Sequence, residues 1–301
     1  MAKKDVKRKK VFKYLGCYLF LLPNAAMFVT FILFPVIFSL ILSFFRWKGI
    51  EISLSAFRFV GLNNFGQLIS NRYFWQYFGN TCFLMLSIPV MIGIHLVVAL
   101  LMNRALKEVL VYRAIWFLPS VAAGVAMLLV WAWIYQGKGG LLNNMLGLVG
   151  IQGPDWLGSV RWAKPALMTM TWWSTAGGMG MILYLAALQG VPQHYYDAAA
   201  IDGAGWWGKF RHITWPMISP TTFFMLITGV IRGFQAGFTN VYVLTGGGPA
   251  GATTTVSFYI YNNAYRDYKL GYASAIAWFL FIFVAGATII NWKYLSRKVH
   301  Y

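Results

Sequence analysis

Asp197, Asp202, Lys209 and Arg211 concentrate charge in the stretch Tyr195–Pro220, YYDAAAIDGAGWWGKFRHITWPMISP, between two long apolar segments. Neither flank carries charge at this density. Carboxylates so placed suit contact better than bond chemistry. Asp197 can meet a basic group on another surface, and a desolvated contact of that kind fixes register. Pro192 fits the first turn of a helix, where its missing N–H costs nothing. Tyr195, Ala198, Ala199 and Asp202 then share one face by their three- and four-residue spacing. The small side chains of Ala198, Ala199 and Ala200 let a short helix lie deep in a partner's groove. Gly203 can take the left-handed conformation that ends this helix and lets a second one leave at an angle. An ordinary solvated linker is the plain alternative.

Gly203-x-x-x-x-Gly208-Lys209 also fits the first part of a phosphate-binding loop. The next residue should be Ser or Thr to hold magnesium, but it is Phe210. Trp206 and Trp207 would crowd a loop that must wrap phosphate with bare backbone. No strand-like run leads into it, so nucleotide binding by this chain is rejected.

Asp197-Ala198-Ala199, followed by Gly203, Ile213 and Pro216, resembles the EAA loop of permeases driven by ATP-binding-cassette subunits, with aspartate where the family usually has glutamate. The longer run Asp197 to Ala204 resembles the carbohydrate-uptake branch, to which maltose and glycerol-phosphate permeases belong. Weaker signatures of the same family are Gly61-Leu-Asn-Asn-Phe65, Tyr112-Arg-Ala-Ile-Trp-Phe-Leu-Pro119 and Leu244-Thr-Gly-Gly-Gly-Pro249. The resemblance implies an ATPase-coupling role for Asp197, Ala198, Ala199, Ala200, Asp202, Gly203, Ile213 and Pro216. It also implies a second, similar permease subunit, two cytoplasmic ATPases, an extracytoplasmic solute-binding protein and a substrate that is a di- or oligosaccharide or glycerol-phosphate-like, with no cofactor on this chain.

The elements that hold this loop are set by composition. The 301 residues are 59% hydrophobic and 11% charged, where soluble domains run at about a quarter charged. This is therefore an integral membrane protein of all-α, polytopic class. Net charge of +18 could point to nucleic acid. The lysines and arginines instead cluster at the ends of apolar segments, which reads as topology and contact with anionic lipid. Cys17 and Cys82 lack metal-ligand spacing and read as packing residues.

Six spans are expected: Tyr14–Phe45, Phe78–Met102, Ala114–Tyr135, Pro165–Leu188, Met217–Leu244 and Gly271–Trp292. A basic tail, residues 1–13, precedes a single permease domain, 14–301, whose coupling loop is 191–219. The first apolar run is too long for a signal peptide and is read as uncleaved, with Pro23 and Pro35 bending or ending its helix. His95, alone in the second span, reads as an interhelical donor rather than a proton relay. Gly177, Gly178 and Gly180 permit close helix contact. Fifteen of the 25 Lys and Arg residues fall on the tail, the 104–113 turn, the coupling loop and the C-terminus, against nine on the other three connections. The basic side is cytoplasmic, which places both termini and the coupling loop there, in the inner membrane of a prokaryotic cell.

In the resembling family the helices flanking the loop line the translocation cavity. Here they carry Trp172, Trp173, Thr175, Met179 and Tyr184, then Arg232, Phe234, Gln235 and Asn240. Aromatic faces with a few hydrogen-bonding groups suit a sugar. Interfacial belts and ordinary packing are the plain reading of the same aromatics. Arg232 in mid-span costs ~2.5–3.5 kcal/mol on insertion scales, so it should face a cavity, water or a partner. A secondary transporter is the rival, but all seven acids lie outside the spans and no ion-coupling carboxylate remains. A membrane-embedded enzyme lacks any HExxH, GxSxG or clustered His/Asp/Glu set.

Overall fold

The computed structural model describes residues 19–47, 49, 57–103, 108–122, 124–235 and 237–295. The basic tail, Cys17, Glu51, Arg104, Lys107, Arg297 and Lys298 lie outside these, as does the side chain of Gln235.

Without water to satisfy backbone N–H and C=O groups, apolar segments must close their hydrogen bonds internally, and helices do so. They run in the order α1 Leu19–Leu42, α2 Asn63–Ser70, α3 Arg72–Met85, α4 Ser87–Met102, α5 Val109–Val121, α6 Gly124–Ile134, α7 Leu141–Leu148, α8 Ala163–Thr175 and α9 Met179–Gln189. There follow α10 Gln193–Ile201, α11 Trp206–Lys209, α12 Trp215–Gln235, α13 Phe238–Leu244, α14 Val256–Tyr261 and α15 Leu270–Leu295. One exception to the all-α expectation is a minimal antiparallel ladder, β1 Phe45–Arg46 with β2 Arg58–Phe59. Aromatic rings of Phe45 and Phe59 meet across it at 5.3 Å, a cross-strand pair of the kind that stabilises so short a ladder.

Among the described residues four helical runs are long and apolar enough to cross a membrane, or five if α5 and α6 count as one bent span. Six uninterrupted spans are not what the backbone displays. The helix of the second span starts at Arg72 rather than Phe78 and is interrupted at Leu86, just ahead of Pro89. The proposed third span is broken by a 93° bend between α5 and α6. The fourth is two helices of 13 and 11 residues, each short of the ~20 residues a crossing needs. Apolar character is legible there, but a hydropathy run does not record where the backbone turns.

Neither Pro23 nor Pro35 ends α1. A π-helical turn, Val29–Leu33, lies just ahead of Pro35 and absorbs the lost hydrogen bond. The same device recurs at Phe210–Thr214, ahead of Pro216. Further on, Pro220 leaves the Pro216 carbonyl without its helical donor, and Ser219 Oγ donates to that carbonyl at 2.7 Å. The run Trp206–Phe234 is thereby continuous. Lys209, Arg211, Ile213 and Pro216, expected in a loop, thus sit on the membrane helix itself.

The chain forms two compact units, one from residues up to Leu68 with Asn263–Trp278, the other from Ile69–Asn262 with the residues from Phe279 on. In the first, Trp278 Nε1 donates to Ser39 Oγ at 3.1 Å, and Asn64 Nδ2 donates to the carbonyls of Ser43 and Phe45. In the second, the largest core joins Ile88, Ile92 and Leu96 of α4 to Met181, Tyr184 and Leu188 of α9 and to Ile218 and Met225 of α12. Edge-to-face rings of Phe78 and Phe283, 4.8 Å apart, add a second seam.

Candidate functional site

Two places on the second unit gather the residues singled out above: the connection around α10, and a cavity beside the break between α12 and α13. Pro192 stands one position before the first turn, as the N-cap at φ −63°, ψ 133°, and α10 opens at Gln193. Asp202 is its C-cap and Gly203 follows at φ +78°. Gly203 N donates to the Ala200 carbonyl at 3.1 Å and Ala204 N to the Ala199 carbonyl at 2.8 Å. Those paired bonds are the Schellman arrangement, which requires the left-handed residue that glycine supplies without steric cost. Gly205 then caps α11, so Gly203–Lys209 is a helix-ending turn followed by a helix start.

No residue of α10 is buried. Asp197 accepts from Gln193 Nε2 at 3.1 Å and has no cationic partner among the described residues. Ile201 is 88% exposed, Trp206 67% and Trp207 61%. The hairpin is tied to the bundle underneath: Tyr196 OH and Thr214 Oγ1 are 2.9 Å apart, and Phe210 packs on the main core. A short helix with small side chains is thus held rigidly at its root and bare on its outer face. Tyr196 and Thr214 were not singled out from sequence; their 18-residue separation becomes a contact only once the Gly203 turn folds the hairpin back.

The cavity is about 170 Å³. Ser87, Thr171, Arg232 and Asn240 supply its polar wall, and Met85, Ile88 and Met168 part of its apolar one. Gly237, at φ +88°, interrupts the proposed fifth span beside it. A broken helix at membrane depth is tolerated where it lines a cavity. Arg232 falls in the last turn of α12 rather than in mid-span. Of the proposed pathway residues the cavity brings together Arg232 and Asn240. Tyr184 is fully buried and its OH donates to Thr222 Oγ1 at 2.8 Å. Phe234 is buried against Phe283. Thr175 donates to the Thr171 carbonyl and accepts His95 Nε2 at 2.8 Å. Met179 and Trp173 are exposed, and the indole N–H of Trp172 is buried with no partner among the described residues. Gln235 ends α12. His95 and the glycines interlock as expected of interhelical contacts: a Cβ on Gly180 would enter the His95 ring, and one on Gly177 the Trp116 backbone.

A buried polar knot flanks the cavity. Lys164 Nζ donates to Asn80 Oδ1 at 3.0 Å, and Asn80 Nδ2 donates to the carbonyls of Gly251 and Thr254. Thr253 and Thr254 hydroxyls bond back to the carbonyls of Gly248 and Gly247. The Asn80 amide and the two threonine hydroxyls are paired within the chain, and Lys164 Nζ also lies 4.9 Å from the Phe83 ring centroid, so the knot reads as scaffold. The run Thr253-Thr254-Thr255 in so apolar a chain was the available signal. Among the described residues no His, Cys, Asp and Glu cluster suits a metal.

Residues 91–300 match the family described as binding-protein-dependent transport system inner membrane component. The chain belongs to that family. A lactose transport system permease protein of Rhizobium radiobacter is 34% identical, with 93% of this chain and 94% of that one covered. A trehalose/maltose transport system permease protein of Thermococcus litoralis is also 34% identical, covering 92% of each. A crystallised bacterial ABC transporter involved in importing the acidic polysaccharide alginate shares the fold at a TM-score of 0.83 and 23% identity, over 97% of this chain and 99% of that one. As a member of this transport family, the chain is a multi-pass membrane protein, and the bare helix and the cavity are features of a permease.

Proposed function

We propose that the protein is the permease subunit of an ATP-driven importer of a di- or oligosaccharide. The carrying observation is α10, a rigidly rooted and outwardly bare helix in a chain of the binding-protein-dependent family. In this reading α10 seats in a groove of a cytoplasmic ATPase, with Asp197 meeting a basic group there. Ala198, Ala199 and Ala200 permit the close fit, and Asp202 with Gly203 sets the exit angle. Ile213 and Pro216 carry the movement into α12. Two such ATPases, a second permease and an extracytoplasmic solute-binding protein complete the assembly, with both termini of this chain in the cytoplasm and the membrane crossed six times.

ATP closes the ATPase pair, the coupling helices follow, and the cavity changes its side of access by differential binding to the two states. The cavity at about 170 Å³ is below the ~300–1,000 Å³ of ordinary ligand pockets, so the walls must part or be completed by the second permease when a disaccharide passes. Arg232 and Asn240 are its sugar-binding groups in this chain, while Trp172, Thr175, Met179, Tyr184 and Phe234 support the pathway from around it. Co-expression with the ATPase and sister permease should yield a complex that hydrolyses ATP, while the purified chain alone hydrolyses none. Hydrolysis by the isolated chain would overturn the assignment of ATP to a separate subunit.

A further inference from the structure

Resting on the reading of α10 as the ATPase dock, we propose that α11 is a lipid anchor: Trp206 and Trp207 seat in the headgroup layer of the cytoplasmic leaflet, and Lys209 and Arg211 hold the phosphate of an anionic phospholipid. Length sets the depth. The helical run Trp206–Phe234 has 29 residues and is apolar enough to cross a membrane. At about 1.5 Å per residue it measures about 43 Å, against a hydrocarbon core of about 30 Å. Counted back from Phe234, the core is filled by Trp215, which leaves Trp206–Thr214 in the polar layer. Indoles suit that layer, with an apolar ring for the acyl boundary and an N–H for ester or phosphate oxygens. Both are exposed, yet each is braced from behind. Trp206 stacks on Phe210 at 5.6 Å with planes 9° apart, and Trp207 at 5.6 Å and 25°, while Phe210 packs on the main core. Further along, Trp215, Met217 and Phe224 are exposed too, so apolar surface for lipid continues onto α12.

Charge decides between the membrane and the ATPase as the occupant. Residues 193–202, α10 with its cap, contain Asp197 and Asp202 and no Lys or Arg, whereas residues 203–214 contain Lys209 and Arg211 and no acid. A basic groove that receives Asp197 repels the second group, so one surface does not complement both halves of the hairpin. Neither Lys209 nor Arg211 has an acidic partner among the described residues, and both follow the indoles on the same helical run. Exposed aromatic rings beside uncompensated cations are the composition that binds anionic bilayer surfaces, each cation adding about fivefold. The turn at Gly203–Gly205 therefore divides the hairpin into a half for the ATPase and a half for the membrane.

The test places p-benzoylphenylalanine at position 207 of the co-expressed permease–ATPase complex, in nanodiscs of phosphatidylcholine with a one-third share of phosphatidylglycerol, and identifies the photo-adduct by mass. Phospholipid adducts are expected. Their phosphatidylglycerol-to-phosphatidylcholine ratio should exceed that of the disc at least about tenfold, and should shrink as salt rises. Lys209→Gln with Arg211→Gln should bring the ratio down to that of the disc and leave ATPase pull-down at the parent level. Should that variant not assemble, the salt titration of the parent carries the same contrast, and a ratio that ignores salt would overturn the proposal. An adduct on the ATPase, parent capture of both lipids in proportion to the disc, or loss of pull-down in the double variant would overturn it too. Asp197→Lys keeps the two readings apart. It should lose the ATPase and keep the lipid adduct. If it keeps both, the dock at α10 falls while α11 stands as a lipid site; if it loses both, α11 is seated by the ATPase and the lipid anchor is refuted.

Discussion

Gly203 carries the sharpest expectation at the scale of one residue, because its φ of +78° and the two Schellman bonds at its end of α10 depend on the absence of a Cβ. An L-residue there pays roughly 1–2 kcal/mol, and a β-branched one more. Nothing stands within 4 Å of the Cβ that would be added, so the penalty is conformational rather than steric. Gly203→Val should therefore leave membrane insertion intact and misdirect α10, lowering ATPase pull-down and sugar uptake, with Gly203→Ala milder. Asp197→Lys should fail for a different reason, replacing attraction with repulsion at a contact whose truncation alone typically costs ~2–5 kcal/mol. A charge-reversing change on the ATPase should rescue Asp197→Lys but not Gly203→Val. Rescue of both, or of neither, would mean the carboxylate makes no ionic contact.

At the scale of elements, close approach and buried polar bonds fix where the helices lie. The Cβ of a valine at Gly180 would enter the His95 imidazole, so Gly180→Val must break the His95–Thr175 bond or move α9 from α4. Overpacking of this kind costs about 1–3 kcal/mol, to be read as a lower melting temperature of the detergent-solubilised complex. Asn80→Leu leaves the Gly251 and Thr254 carbonyls and Lys164 without their partner. Each unsatisfied buried group costs ~1–3 kcal/mol, and the melting temperature should drop further than for a surface change such as Gln152→Leu. The apolar runs and the last helix, expected as Gly271–Trp292 and found as Leu270–Leu295, were legible because hydropathy needs no partner. The breaks after Val121, Thr175 and Gln235 were not. After Thr175 a glycine, Gly177, meets the Trp116 backbone, and after Gln235 another, Gly237, turns left-handed; neither circumstance is visible in a hydropathy profile. The same blindness placed Arg232 mid-span instead of in a last turn, where a cation also suits the helix dipole. It also hid Ser87, an unremarkable serine until α4, α12 and α13 converge.

At the scale of the whole molecule, α1 and α15 expose many Phe, Ile and Leu side chains, as lipid contact requires, while α10 with Trp206 and Trp207 stands bare at the root of α12. In the proposed reading the permease takes its motion from a separate ATPase through that bare helix. The measurement that tests this most directly is uptake of radiolabelled disaccharide by proteoliposomes holding the co-expressed complex, with ATP inside and the solute-binding protein outside. Uptake is expected to require both and to be abolished by Asp197→Lys at unchanged protein content. Uptake that persists without ATP and follows an imposed proton or sodium gradient would contradict the account.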